Sequence, residues 1–129
     1  MKIIGVGTDI VAIQRIQAIW DRFGMAFPKR ILSPIELSHW EKVKDPVAFL
    51  AKRYAAKEAA AKALGTGFRP EGVLLTDISV VNNALGRPQL VLSGGAKREW
   101  ERQAVAESHL SLADEKEFAV AFVILTGLN

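Results

Sequence analysis

Two places in the chain set charged side chains among apolar neighbours. In Gly5-Val6-Gly7-Thr8-Asp9-Ile10 a carboxylate stands where an apolar run gives way to a helical pattern. Asp9 at such a point suits either a helix cap or a ligand to a hard metal ion. The two glycines permit close approach of another chain or of a phosphate. The second place is Phe49 to Gly67, where Glu58 and Lys62 lie four residues apart, one turn along a helix face. A surface ion pair is the plain reading of that spacing. The alanines around it, Ala55, Ala56, Ala59, Ala60, Ala61 and Ala63, point instead to a buried helix, in which charges need partners or a ligand. Glu58 then offers oxygen to Mg²⁺. Arg53, Lys57 and Lys62 meet phosphate oxygens, and the turn Gly65-Thr66-Gly67 adds backbone amides. Two carboxylates from different elements with several cations nearby are what metal-assisted phosphoryl transfer requires.

The elements that hold these groups follow from pattern. Lys2 to Val6 reads as a buried strand, and Ile13, Ile16, Ile19 and Phe23 recur at helical spacing up to a stop at Gly24. Ser33-Pro34-Ile35-Glu36 forms a capping box and opens a short second helix reaching about Val43. Asp45-Pro46 caps a long third helix, which runs without internal glycine or proline to Leu64. Thr76–Val81 and Pro88–Leu92 form a hairpin about the turn at 82–86. A fourth helix runs from Ser93 to about Ala106, and strands at His109–Leu112 and Phe118–Leu125 pair through a turn at 114–116. Helices and mainly antiparallel strands mix without βαβ alternation, so the class expected is α+β.

A chain of 129 residues, half of them hydrophobic, buries one core, and a single domain over 1–129 is expected. With no cysteine, disulfides, thiolate metal sites and cysteine nucleophiles are excluded. No apolar run approaches a membrane span or a signal segment, so a soluble cytoplasmic protein is expected. The net charge of +3 favours an acidic partner or a phosphate-rich ligand.

On these residues the chain resembles the holo-acyl-carrier-protein synthases, the compact branch of the 4′-phosphopantetheinyl transferase superfamily. The family's G-x-G-x-D-[IV]-x-x-[IL]-x-R appears as Gly5 to Arg15, and its F-L-x-x-R-[FY]-x-x-K-E-A-x-x-K-A-[FL]-G-T-G as Phe49 to Gly67 without a gap. Gly86-Arg87-Pro88 and His109-Leu110-Ser111-Leu112 resemble two further segments. The resemblance implies that Asp9 and Glu58 hold Mg²⁺, with Glu58 also the candidate to take a proton. It sets Lys62 on the diphosphate of coenzyme A and Arg53 toward the 3′-phosphate. Gly65, Thr66, Pro88 and His109 would complete the nucleotide site, His109 from a neighbouring subunit of a homotrimer with shared active sites. Arg15 would meet an acidic apo-acyl carrier protein. Val11 stands where larger superfamily members have a third carboxylate, and Ala12 where many relatives have glutamate.

The implied reaction moves 4′-phosphopantetheine from coenzyme A to a carrier-protein serine, releases adenosine 3′,5′-bisphosphate and serves fatty acid biosynthesis. Two other classes fit parts of the sequence. A nucleic-acid-binding domain matches the charge, but Trp20, Trp40 and Trp100 are scattered rather than interleaved with basic residues, so no nucleic acid is expected. A Mg²⁺-dependent phosphatase or nuclease matches the carboxylates and lysines, but normally brings more acidic ligands.

Overall fold

The computed structural model describes residues 1–69 and 72–129. Strand β1 (Lys2–Ala12) leads into helix α1 (Ile13–Phe23), which stops at Gly24 with φ 55°. Helices α2 (Ala26–Ile31) and α3 (Pro34–Leu37), a 3-10 turn at Trp40–Lys42 and the long helix α4 (Pro46–Leu64) follow. Strands β2 (Ile78–Asn82) and β3 (Pro88–Leu92), helix α5 (Gly94–Arg102) and strands β4 (Glu107–Asp114) and β5 (Phe118–Gly127) complete the chain. The chain is α+β, as expected.

All strand pairs are antiparallel, and they divide into a three-stranded sheet in the order β1-β5-β4 and the separate hairpin β2-β3. Helix α4 lies on β1 and β5, with Ala55, Ala56, Ala59, Ala60, Ala61 and Ala63 all buried. The core gathers around it from Val11, Ile16, Leu50, Ile78, Val123 and Leu125.

Gly5 and Gly7 have a different use from the one their spacing suggested. A Cβ on Gly5 would stand 1.9 Å from the carbonyl oxygen of Ala63, and one on Gly7 1.9 Å from that of Ala59. The glycines let helix backbone rest directly on strand backbone. Two strand residues span about 6.8 Å and the four helical residues from Ala59 to Ala63 about 6 Å, so the contact repeats along both elements.

Several boundaries differ from the sequence reading. Strand β1 continues past Val6 to Ala12, because β5 pairs with it along its whole length. Asp9 is therefore within a strand rather than at its end. The segment after Gly24 forms α2, with Pro28 in the first turn where its missing N–H costs no bond. The capping box at Ser33 and Glu36 is present, but α3 ends at Leu37 instead of reaching Val43, and α5 ends at Arg102.

Candidate active site

On β1, alternate residues face α4, so Asp9 follows Gly5 and Gly7 on the same side. The strand and helix run in opposite directions, which sets Asp9 toward the amino-terminal part of the helix. Helical side chains tilt toward the helix amino terminus. Lys62 thereby reaches back to Asp9, with Nζ 3.1 Å from Asp9 Oδ1 and 3.0 Å from the Thr8 carbonyl oxygen. Glu58, one turn earlier, is partly buried on the same face. The structure brings Asp9 and Lys62 together as a pair, with Glu58 beside Lys62. The Lys62 side chain is 55% exposed while that of Asp9 is 17% exposed, so the group opens to the surface through the lysine.

Tyr54 continues this face one turn farther. Arg15, exposed on α1, holds its guanidinium 5.9 Å above the Tyr54 ring. Burial and the Glu58 carboxylate beside it push the Tyr54 phenol up from its ordinary value.

Lys57 does not join the phosphate-facing cations that the sequence suggested. It is wholly buried, and its ammonium donates to Glu36 Oε1 at 2.6 Å, to the Leu75 carbonyl at 3.1 Å and to the Ile78 carbonyl. Burial pushes its pKa down and the Glu36 charge only partly restores it. Glu36, read from the sequence only as a cap residue, turns out to be the centre of this interior cluster. Lys57→Met is expected to lower stability by about 3–5 kcal/mol, because it leaves the Glu36 carboxylate buried without its closest cation. Urea unfolding with an unchanged slope would report that loss.

Arg53 lies on the other side of α4 from Lys62, with its side chain only 11% exposed and its guanidinium 4.5 Å over the Phe49 ring. It forms the floor of a cleft of about 540 Å³, whose rim carries His39, Lys42, Lys44, Asp45 and Lys52. Gly65 and Thr66 close the end of α4. Their amides donate to the Ala61 and Lys62 carbonyls at 2.9–3.2 Å, so they are not the free anion donors that the sequence suggested. Pro88 begins β3 opposite Asn82.

His109 pairs with Ile124 on β5, which in turn pairs with Val6 on β1. That register sets His109 on the outer face, away from α4 and Asp9. Within one chain the structure does not bring it to the carboxylates.

A sequence profile described as the 4′-phosphopantetheinyl transferase superfamily matches residues 5–123. The holo-[acyl-carrier-protein] synthase of Klebsiella pneumoniae is 51% identical over 97% of this chain and 98% of its own length. That of Hamiltonella defensa is 50% identical over 98% of this chain and its full length. Among solved structures, the Neisseria meningitidis synthase superposes with a TM-score of 0.90 at 42% identity, covering 97% of this chain and 99% of its own. The Helicobacter pylori synthase in complex with coenzyme A gives 0.80 at 32% identity, covering 94% and 99%. With both sequence motifs on adjoining elements and relatives of this similarity along nearly their whole length, the chain belongs to the 4′-phosphopantetheinyl transferase superfamily, in its holo-acyl-carrier-protein synthase branch.

Proposed function

We propose that this chain transfers the 4′-phosphopantetheine arm of coenzyme A to a serine of an apo-acyl carrier protein, with Mg²⁺ held by Asp9 and Glu58. The released product is adenosine 3′,5′-bisphosphate, and the holo carrier serves fatty acid biosynthesis in the cytoplasm. The observation that carries this reading is the meeting of Asp9 from β1 with Lys62, one turn beyond Glu58 on α4, where the group opens to the surface.

The donor set fits Mg²⁺. Asp9 on β1 and Glu58 on α4 offer hard carboxylate oxygens, which suit an ion that keeps waters and takes substrate phosphates as further ligands. When bound, the ion supplies charge neutralisation at the diphosphate. Lys62 adds a second positive charge, for the oxygen on which charge develops as the phosphoanhydride breaks. Glu58 takes the proton of the attacking serine hydroxyl. Arg53 receives the 3′-phosphate at the floor of the cleft, and the lysines of the rim strengthen the attraction.

The protein is proposed to work as a homotrimer with sites between subunits. Val6, Ile10, Phe118, Val120 and Phe122 leave the outer face of the β1-β5-β4 sheet apolar and exposed, which favours burial against another copy. His109 stands on that same face, from which it is proposed to complete the nucleotide site of a neighbouring chain. Mixing Glu58→Ala with an inactive His109 variant, after mild unfolding and reassembly, is expected to restore part of the activity. Fully active monomers in sedimentation, or well-mixed trimers without recovery, would overturn the shared site.

Arg15 is proposed to engage the acidic carrier, steering its approach past Tyr54 to Glu58. Arg15→Ala is expected to raise KM for carrier protein roughly tenfold, as for a charge-assisted contact. KM for coenzyme A moves little. An effect on coenzyme A alone would refute this assignment.

Mass spectrometry of an apo-acyl carrier protein incubated with the protein, coenzyme A and Mg²⁺ tests the reaction itself. The expected result is a gain equal to phosphopantetheine that stops when Mg²⁺ is chelated. An unmodified carrier would sink the reading.

A further inference from the structure

Glu36 is fixed from several sides. Its Oε1 accepts from the Lys57 ammonium at 2.6 Å and from the Ser33 amide at 3.0 Å. Its Oε2 accepts from the Val80 amide at 3.1 Å and faces Arg53 Nε at 3.7 Å. The start of α3, the middle of α4 and β2 all clamp one carboxylate that is 3% exposed. Such a group cannot rotate to follow a ligand. It is a stationary negative charge.

Arg53 is held against that charge on its Nε side and against the Phe49 ring at 4.5 Å. Among the described residues no acceptor lies within hydrogen-bond reach of its buried Nε, and burial pushes its pKa down. Lys57 and Arg53, four residues apart on α4, are like charges that would repel in a desolvated interior. The Glu36 carboxylate touches both, so it permits Arg53 to stay inward at the cleft floor. One carboxylate against two cations also leaves one positive charge uncompensated there. That charge, below a rim where Lys42 and Lys44 outnumber Asp45, and where Lys52 pairs with Asp114 at 3.4 Å, suits a dianionic phosphate monoester.

We infer that Glu36 is a positioning residue for the nucleotide: it aims the Arg53 guanidinium into the cleft and so sets the preference for a 3′-phosphorylated substrate without touching it. The inference rests on the reading of Arg53 as the 3′-phosphate group's partner. A carboxylate that served only as counter-ion to Lys57 would affect folding and leave that preference alone.

The test compares KM for coenzyme A and for dephospho-coenzyme A in the full-length protein, with melting measured on the same samples. Glu36→Gln is expected to raise KM for coenzyme A about tenfold and KM for dephospho-coenzyme A less than twofold, the scale of one charge-assisted contact. In an Arg53→Ala background it is expected to change neither. Where Glu36→Gln alone fails to fold, Glu36→Gln with Lys57→Met removes the orphaned ammonium, and the same loss of preference is expected. A lowered melting temperature with the preference intact would overturn the inference while Arg53 keeps its assignment. A preference untouched by Arg53→Ala would overturn the reading of Arg53, and the inference with it.

Discussion

Glu58→Ala is expected to reduce transfer at least about a thousandfold while shifting the melting temperature by no more than a few degrees. Loss of charge stabilisation at a phosphoryl-transfer site has this scale. The partly buried Glu58 side chain makes no core contact of the Leu50 or Val123 kind, so the fold has little to lose. Asp9→Ala should act alike, with one difference. It also removes the 3.1 Å partner of Lys62, freeing an ammonium that is already largely solvated. Turnover and thermal melting of the same samples check both. If either variant kept a tenth of the activity, the two-carboxylate metal site would be wrong. Binding of Mg²⁺ in the presence of coenzyme A, followed by calorimetry, should fall with each variant.

The second large effect is on folding. Gly7→Ala is expected to cost at least about 4 kcal/mol, a loss large enough to unfold many domains of this size. Its new Cβ would stand 1.9 Å from the Ala59 carbonyl oxygen and 2.8 Å from the Ala63 nitrogen. Both are backbone atoms, so no side chain can swing aside; strand and helix must separate. Gly67→Ala is the control, because its Cβ meets nothing within 4 Å and only its φ of 65° resists substitution. It should cost about 1–2 kcal/mol. Urea unfolding of the two variants gives the comparison. A Gly7→Ala protein as stable as Gly67→Ala would mean that the helix does not rest on the strand as described.

How far the sequence led depends on the kind of signal. Caps were readable: Ser33 with Glu36, Asp45 before Pro46 and Gly65 after Leu64 all mark helix ends where expected. That β1 and α4 share one site was legible through the resemblance of the two motifs, but the direct pairing of Asp9 with Lys62 was not, since each motif fixes spacing only within its own element. The direction of Lys57 was not. Alanine occupies nearly every face of α4, so no apolar stripe tells an inward lysine from an outward one. The same alanines concealed the use of Gly5 and Gly7, because G-x-G serves a phosphate or a neighbouring backbone equally well. Glu36 was hidden by having an adequate local role as a cap, while its partners Lys57 and Val80 are remote in sequence. The amides of Gly65 and Thr66 looked free only until the left-handed helix end used them.

The pairing of β1 with β5 also sets a timetable. Thr8 Oγ1 donates to the carbonyl of Ala121, a partner 113 residues later in the chain. At a synthesis rate of roughly 5–20 residues per second, β1 waits on the order of ten seconds for its neighbour to be made. During that interval α4 can already lie on Gly5 and Gly7, but the row of backbone N–H and C=O groups that β5 will take has no native mate. The nascent chain therefore carries an open β edge through most of its production, and its escape from aggregation depends on whatever shields that edge until the last strand arrives.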